Sequence, residues 1–295
     1  MHMDIGSGIA LLGPAAVVAK ILGPTADYLG RSLETWTKAR IENLRSVFAN
    51  AEGKLGVSID SPGQVAPRVL KEILDNASFI ADPLAVEYFG GVLASARTAV
   101  QRDDRGASFA ALVGSLSTYQ LRTHYLVYAT IVRLYEGSRR TPLRRTGNLA
   151  VYLPFDSYCA AMDFSEEELA KVGSLMTHSF YGLVGKNLIH ERFISGEPSH
   201  LKSAVELDCQ VHRFEFPRTG MVLAPSVLGF QLFTMAHGAG DSTPDDLFAP
   251  GVTLPSLAGL PGILDARRLS EFQRDVPAGT GIDDGHEHYP GWYLD

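Results

Sequence analysis

One apolar stripe runs from residue 29 to residue 55 without a proline to interrupt it. Leu29, Leu33, Trp36, Ile41, Leu44, Phe48, Ala51 and Leu55 recur mostly at three- and four-residue steps. That spacing sets them on one face of a 3.6-residue helical period. Arg31, Glu34, Lys38, Glu42 and Arg45 fall mostly off the stripe. A helix of this length must bury such a face, so the chain is expected to be mainly α, with Trp36 in the main core. Gly56 suits the stop.

Further helix signals follow in order. Pro67 opens a helix with Val69, Leu70, Ile73 and Leu74 apolar. At Asp82-Pro83 the aspartate can cap and the proline take the first helical position. The helix they start carries Tyr88, Phe89, Val92, Leu93, Ala96 and Val100, and its small residues Gly90, Gly91, Ala94 and Ser95 would let a neighbouring helix approach closely. Asp103-Asp104-Arg105-Gly106 reads as a turn. A short helix with Phe109, Leu112, Val113 and Leu116 comes next, and Ser117 suits the cap of a longer one from Thr118 to about Glu136.

The second half has a different pattern. Ser165-Glu166-Glu167-Glu168 fits a capping box, in which the serine oxygen takes a backbone N–H and Glu168 reaches back. Its helix is expected to run to about Asn187. Leu207, Cys209 and Val211, then Phe214 and Phe216, alternate as a strand does. Met221 to Leu223 would be its hairpin partner across Pro217-Arg218-Thr219-Gly220. Ser226 can cap a last amphipathic helix with Leu228, Leu232, Phe233 and Ala236, ended by Gly238. This order predicts a helical N-terminal domain over residues 1–116 and a winged-helix-like α+β module with a small β-hairpin over 117–238. Residues 239–295, rich in proline, glycine and aspartate, form an irregular C-terminal tail.

The 295 residues are 45% hydrophobic and 20% charged, enough for a sizeable core in one or two domains. A net charge of −7 disfavours phosphate backbones unless a basic patch is present. Cys159 and Cys209 make no CxxC pair, so they read as buried thiols of a reducing, cytoplasmic compartment. Ile5 to Gly23 is almost uncharged, yet no basic region precedes it, which argues against a secretory signal. Gly6, Gly8, Gly13, Pro14 and Lys20 interrupt it as a membrane span. A packed or interfacial helix over residues 5–22 is expected, with membrane insertion the alternative.

Motifs of chemistry are scarce. Gly6 to Gly13 and Gly182 to Asn187 both lack the Gly-Lys-Ser/Thr ending of a phosphate loop. Gly6-Ser7-Gly8 is no nucleophile elbow. His286-Glu287-His288 beside Asp283 and Asp284 reads as solvated polar chain, so no metal and no cofactor is called for. The candidate ligand or partner contacts are Asp103, Asp104 and Arg105 in the turn, with Arg122 and His124 on the following helix. An ion pair or cap is the plainer role for the turn, and a hydrogen-bonded helix position the plainer role for His124. Arg139, Arg140, Arg144 and Arg145, in a loop with Pro142, are the candidate nucleic-acid contacts.

Several segments together resemble a known family. Lys20 to Gly30 (KILGPTADYLG), Pro67 to Leu74 (PRVLKEIL), Asp82-Pro83-Leu84 with Glu87 to Ser95 (EYFGGVLAS), and Leu223 to Leu232 (LAPSVLGFQL) are similar to the Abi-alpha family of bacterial abortive-infection proteins. The resemblance covers roughly residues 20 to 238. It implies a setting of anti-phage defence, by killing or arresting the infected cell, and carries no catalytic residues with it. A non-enzymatic sensor or effector that binds a host or phage protein, or assembles with itself, is the expectation. The competing readings are a winged-helix nucleic-acid binder, a membrane-active effector using residues 5–22, and a hydrolase with a scattered site.

Overall fold

The computed structural model describes residues 17, 20, 38–80, 82–137, 147–209, 214–252 and 254–273. In chain order the elements are α1 (Lys38–Leu55), β1 (Gln64–Val65), α2 (Pro67–Ala77), α3 (Pro83–Ser95), β2 (Arg97–Thr98), α4 (Arg105–Gly114) and α5 (Thr118–Leu134). There follow β3 (Val151–Pro154), α6 (Phe155–Met162), α7 (Glu166–Leu169), α8 (Val172–Gly185), β4 (Ile194–Gly196), α9 (Pro198–Cys209), β5 (Gly220–Leu223), α10 (Val227–Ala236) and β6 (Arg267–Arg268). The fold is mainly helical with two small antiparallel sheets. Among the described residues no helix is long and apolar enough to cross a membrane.

The chain forms two compact units. The first holds residues up to 121, 231–243 and 254–259; the second holds 122–230, 244–253 and 260 onward.

In the first unit α3 is the central helix. Leu84, Ala85, Tyr88, Phe89, Val92, Leu93 and Ala94 are all buried, as a helix apolar on most sides must be. It packs on α1, α2 and α4. Asp82 caps it, accepting from the Ala85 N–H at 2.9 Å, with Pro83 at the first helical position. On α1 the stripe of Leu44, Phe48 and Ala51 is buried, joined by Val47. Leu29, Leu33 and Trp36 lie outside the described residues. The small residues of α3 serve the close approach expected of them. A Cβ on Gly90 would stand 2.4 Å from the Asn50 Oδ1 of α1, and one on Gly91 would stand 1.9 Å from the Ala236 carbonyl oxygen of α10.

The second unit is built round a four-stranded antiparallel sheet in the order β4-β5-β3-β6. Tyr152 on β3 lies 4.9 Å from the Phe272 ring and 5.4 Å from that of Phe216, at the centre of a core with Leu201, Val205 and Val222. Gly220 lies in β5 opposite Pro154; a Cβ there would come within 2.4 Å of the Tyr152 ring.

Several expectations are corrected here. Leu207 and Cys209 belong to helix α9, and Leu207 is 80% exposed. The residues that anchor α9 are Leu201 and Val205, four apart, so helical spacing prevails over the alternation. Met221 to Leu223 is a strand, but it pairs with β3 and β4, and among the described residues no hairpin spans Pro217 to Gly220. The helix opened by Ser165 stops after one turn, at Leu169, and α8 restarts beyond Lys171. The capping box itself forms, with Glu168 N–H to Ser165 Oγ at 3.3 Å and Ser165 N–H to Glu168 Oε2 at 2.8 Å. Residues 240–252 and 254–273 of the irregular tail are described. Within the second unit the Ile263 N–H donates to Thr130 Oγ1 at 2.8 Å, Tyr125 Oη donates to the Leu260 carbonyl at 2.8 Å, and β6 pairs with β3. Residues 274–295, with His286-Glu287-His288, lie outside the described residues.

Candidate functional site

The three turn residues do come together in the first unit. Asp103 accepts from Arg105 Nε at 2.9 Å and Nη2 at 2.7 Å, and from the Arg105 backbone N–H at 3.2 Å. The hydrogen bonds from Arg105 outweigh its modest burial and hold its carboxyl below the ordinary value. Asp241 lies 3.4 Å from the same guanidinium, while Asp104 pairs with Arg68 at 2.9 Å. Arg105 is 63% exposed, so solvent screens this network, and the geometry is that of a helix-start ion pair on α4.

Arg122 and His124 belong to the second unit and face their own surroundings. Arg122 Nε and Nη2 donate to the Ala161 carbonyl at 3.1 and 2.9 Å, closing the last turn of α6 with a cation. His124 is fully buried, its Nε2 3.1 Å from the Gly229 carbonyl and its ring 4.6 Å from that of Tyr128. That hydroxyl donates to the Leu188 carbonyl at 2.6 Å and accepts the Ser226 N–H at 2.9 Å. Burial pushes the Tyr128 phenol far up, which keeps it a neutral hydrogen-bonding strut. Arg139, Arg140, Arg144 and Arg145 lie outside the described residues.

A second cluster in the first unit is half-buried and couples more groups. Asn50 and Lys54 stand four residues apart on α1, so they share a helix face. Lys54 Nζ donates to Asn50 Oδ1 at 2.6 Å and forms an ion pair with Glu87 of α3. Their side chains are only 13% and 24% exposed. Burial pushes the Glu87 carboxyl up, but hydrogen bonds from Lys54, Asn50 and the Ala258 N–H, with the lysine charge, hold it below its ordinary range. Gly90, one turn on, leaves the room that the Asn50 amide needs.

His237, just past α10, completes the cluster. Its Nδ1 lies 2.8 Å from the Phe233 carbonyl, which can only accept, so this nitrogen carries the proton. Burial lowers its pKa, against hydrogen bonds to the carbonyls of Phe233 and Pro255; Lys54 lowers it further. Ala258, which faces Glu87, sits at φ 51° and ψ 25°, a left-handed conformation uncommon for alanine. At neutral pH Glu87 is thus a carboxylate paired with Lys54 and His237 a neutral imidazole, the set being gathered from α1, α3 and the end of α10.

The motif search above misses this cluster, because its members are scattered over two hundred residues. One signal was available: Glu87 is the only charge between Pro83 and Ala96. A lone carboxylate in an apolar helix needs a partner. Among the described residues, no group of His, Cys, Asp and Glu is arranged to hold a metal ion. Neither a family model, nor a curated protein, nor a solved structure matches this chain.

Proposed function

We propose that this chain is an abortive-infection-type defence protein of the Abi-alpha kind, acting by binding a protein partner through its helical first unit. The observation that carries the reading is where the resembling segments lie. Pro67 to Leu74 builds α2 and Glu87 to Ser95 builds α3, while Leu223 to Leu232 leads into α10. Gly91 of α3 then touches the backbone of Ala236 on α10, and Ser95 Oγ donates to the Met235 carbonyl at 3.1 Å. Pro67 to Leu74 and Glu87 to Ser95 lie on two helices that pack together within the first unit, which supports a shared scaffold over chance likeness, while Leu223 to Phe230 belongs to the second unit. For the binding role, Phe79 offers an anchor: it is 66% exposed, with the Arg40 guanidinium 3.8 Å from its ring centre. Aromatic and arginine side chains dominate protein interfaces.

The winged-helix reading of residues 117–238 is the weaker one, since the hairpin it needs rests on Leu207 and Cys209 of α9. The test is expression in bacteria challenged with phage, with membrane potential, nucleic-acid integrity and nucleotide pools followed. The reading expects fewer plaques and early collapse or arrest of infected cells. Equal plating with and without the protein across a broad phage panel would sink it. Degraded nucleic acid or drained nucleotide pools in purified assays would replace binding with an enzymatic activity.

A further inference from the structure

We propose that residues 260–273 are an exchangeable arm. The place they fill in the second unit takes the same arm from a second copy of this chain, giving a dimer in which each copy completes the other's sheet. The start of the arm is held through its backbone. On α5, Tyr125 Oη donates to the Leu260 carbonyl at 2.8 Å, Thr130 Oγ1 accepts the Ile263 N–H at 2.8 Å, and Arg133 Nη2 donates to the Ile263 carbonyl at 2.6 Å. Gly262 permits this approach: a Cβ there would stand 2.9 Å from the Thr130 backbone nitrogen. Asp265 then accepts from Ser157 Oγ at 2.7 Å and pairs with Arg218, and β6 pairs with β3. Ile263, Ala266, Leu269 and Phe272 are buried at three-residue steps, the last two in the core against the sheet.

All of these contacts run between the arm and the rest of the second unit. An arm from another copy therefore remakes every one of them. The monomer and the exchanged dimer then differ at the hinge and in the freedom lost when two chains join. The hinge is where the closed form is poorest. Ala258 and Gly259 stand side by side just before the arm, at φ 51° and φ 68°. That left-handed region is costly for alanine. A short hinge under strain favours exchange, because straightening relieves it. Both residues are exposed, and a Cβ on Gly259 would meet nothing within 4 Å. Hinge strain can thus be changed at these two positions without touching the core.

The test uses the full chain, refolded from urea over a range of protein concentrations, with its mass read by size-exclusion chromatography and light scattering. Dimer should increase with concentration. Each exchanged dimer straightens two hinges. Gly259→Ala adds left-handed strain to the closed form and should tighten the dimer roughly 25-fold, about fivefold for each hinge. Ala258→Gly removes strain and should weaken the dimer by a similar factor. A charge swap then locates the contact. Asp265→Arg sets like charges against Arg218, and Arg218→Asp sets like charges against Asp265. In an exchanged heterodimer of these two variants, one site has the pair reversed and the other has the original pair, so both are complementary. Native mass spectrometry of the mixture should show heterodimer well above its statistical share. A chain that stays monomeric at every concentration, Gly259→Ala included, overturns the proposal. So does a dimer that ignores both hinge variants, or one whose heterodimer share is only statistical. Arg218 and Asp265 are 43% and 47% exposed, so both charge variants should fold; if either does not, the hinge variants still decide. The inference does not rest on the defence reading: mass reports on the arm, plating on the defence.

Discussion

Gly91 on α3 lies directly beneath the end of α10, where a Cβ in place of its hydrogen would stand 1.9 Å from the Ala236 carbonyl oxygen. Both sides of this contact are backbone, so no rotamer change relieves it. Gly91→Val is therefore expected to cost at least the upper end of the usual overpacking range, about 3 kcal/mol. Gly90→Ala presses on the Asn50 side chain instead, which can turn away. It should cost less, about 1–2 kcal/mol, most of it from the lost Asn50 link to Glu87. Urea unfolding of the two variants checks the order; equal losses would mean that α10 simply shifts.

Two of the first unit's ionic groups should respond very differently to neutralisation. Asp103→Asn leaves an Arg105 that is 63% exposed and can turn to water, and the expected loss is about 0.5–1 kcal/mol, smaller at high salt. Glu87→Gln strands a lysine that is only 13% exposed, and should cost about 1–3 kcal/mol with little salt dependence. Melting both variants in low and high salt separates the cases. A small, salt-sensitive effect for Glu87→Gln would mean that the cluster is more hydrated than its geometry shows.

What could be read from the sequence was whatever depends on near neighbours. Asp82-Pro83, Ser165 with Glu168, and Ser226 were legible as caps because each works within three or four residues, and all form. Strand β3 was not legible, since Val151, Tyr152, Leu153 and Pro154 are all buried and show no alternation. In helix α9 the alternation of Leu207 and Cys209 competes with the four-residue step from Leu201 to Val205, and the helical spacing prevails. The polar cluster was hidden for a further reason: Lys54 and Glu87 are 33 positions apart, and only the packing of α1 on α3 brings them together.

Partner binding through Phe79 has its own outcome. The side chain is mostly exposed at the end of α2, so Phe79→Ala should leave the melting curve within about 0.5 kcal/mol of the parent. Protection in the plating assay should drop by at least tenfold if the ring is an interface anchor, for which losses of 2 kcal/mol or more are usual. Full protection with unchanged stability would move the interface elsewhere on the unit.

The N-terminal segment gives the last prediction. Of residues 5–22 only Val17 and Lys20 are described, both helical, and Lys20 is tied to the first unit. Arg97 Nε donates to the Lys20 carbonyl at 2.7 Å, and Lys20 Nζ pairs with Asp60. The same guanidinium holds the Ser58 and Ile59 carbonyls at 3.3 and 3.1 Å, so it keeps partners when the segment is gone. These contacts are exposed or partly so, and losing those to Lys20 should cost about 1 kcal/mol or less. Deleting residues 4–22 should thus leave a folded protein by circular dichroism. The removed sequence is nearly uncharged, and glycine and alanine allow close backbone approach. Its loss is expected to change the mass on size-exclusion chromatography or to abolish protection in plating. Arg97→Ala in the full chain, which loosens the tie without removing the apolar residues, should shift assembly or liposome binding upward. A truncated protein with parental mass, stability and protection would show the segment to be dispensable. One that unfolds would show it to be part of the core, and the membrane-active reading would lose its support.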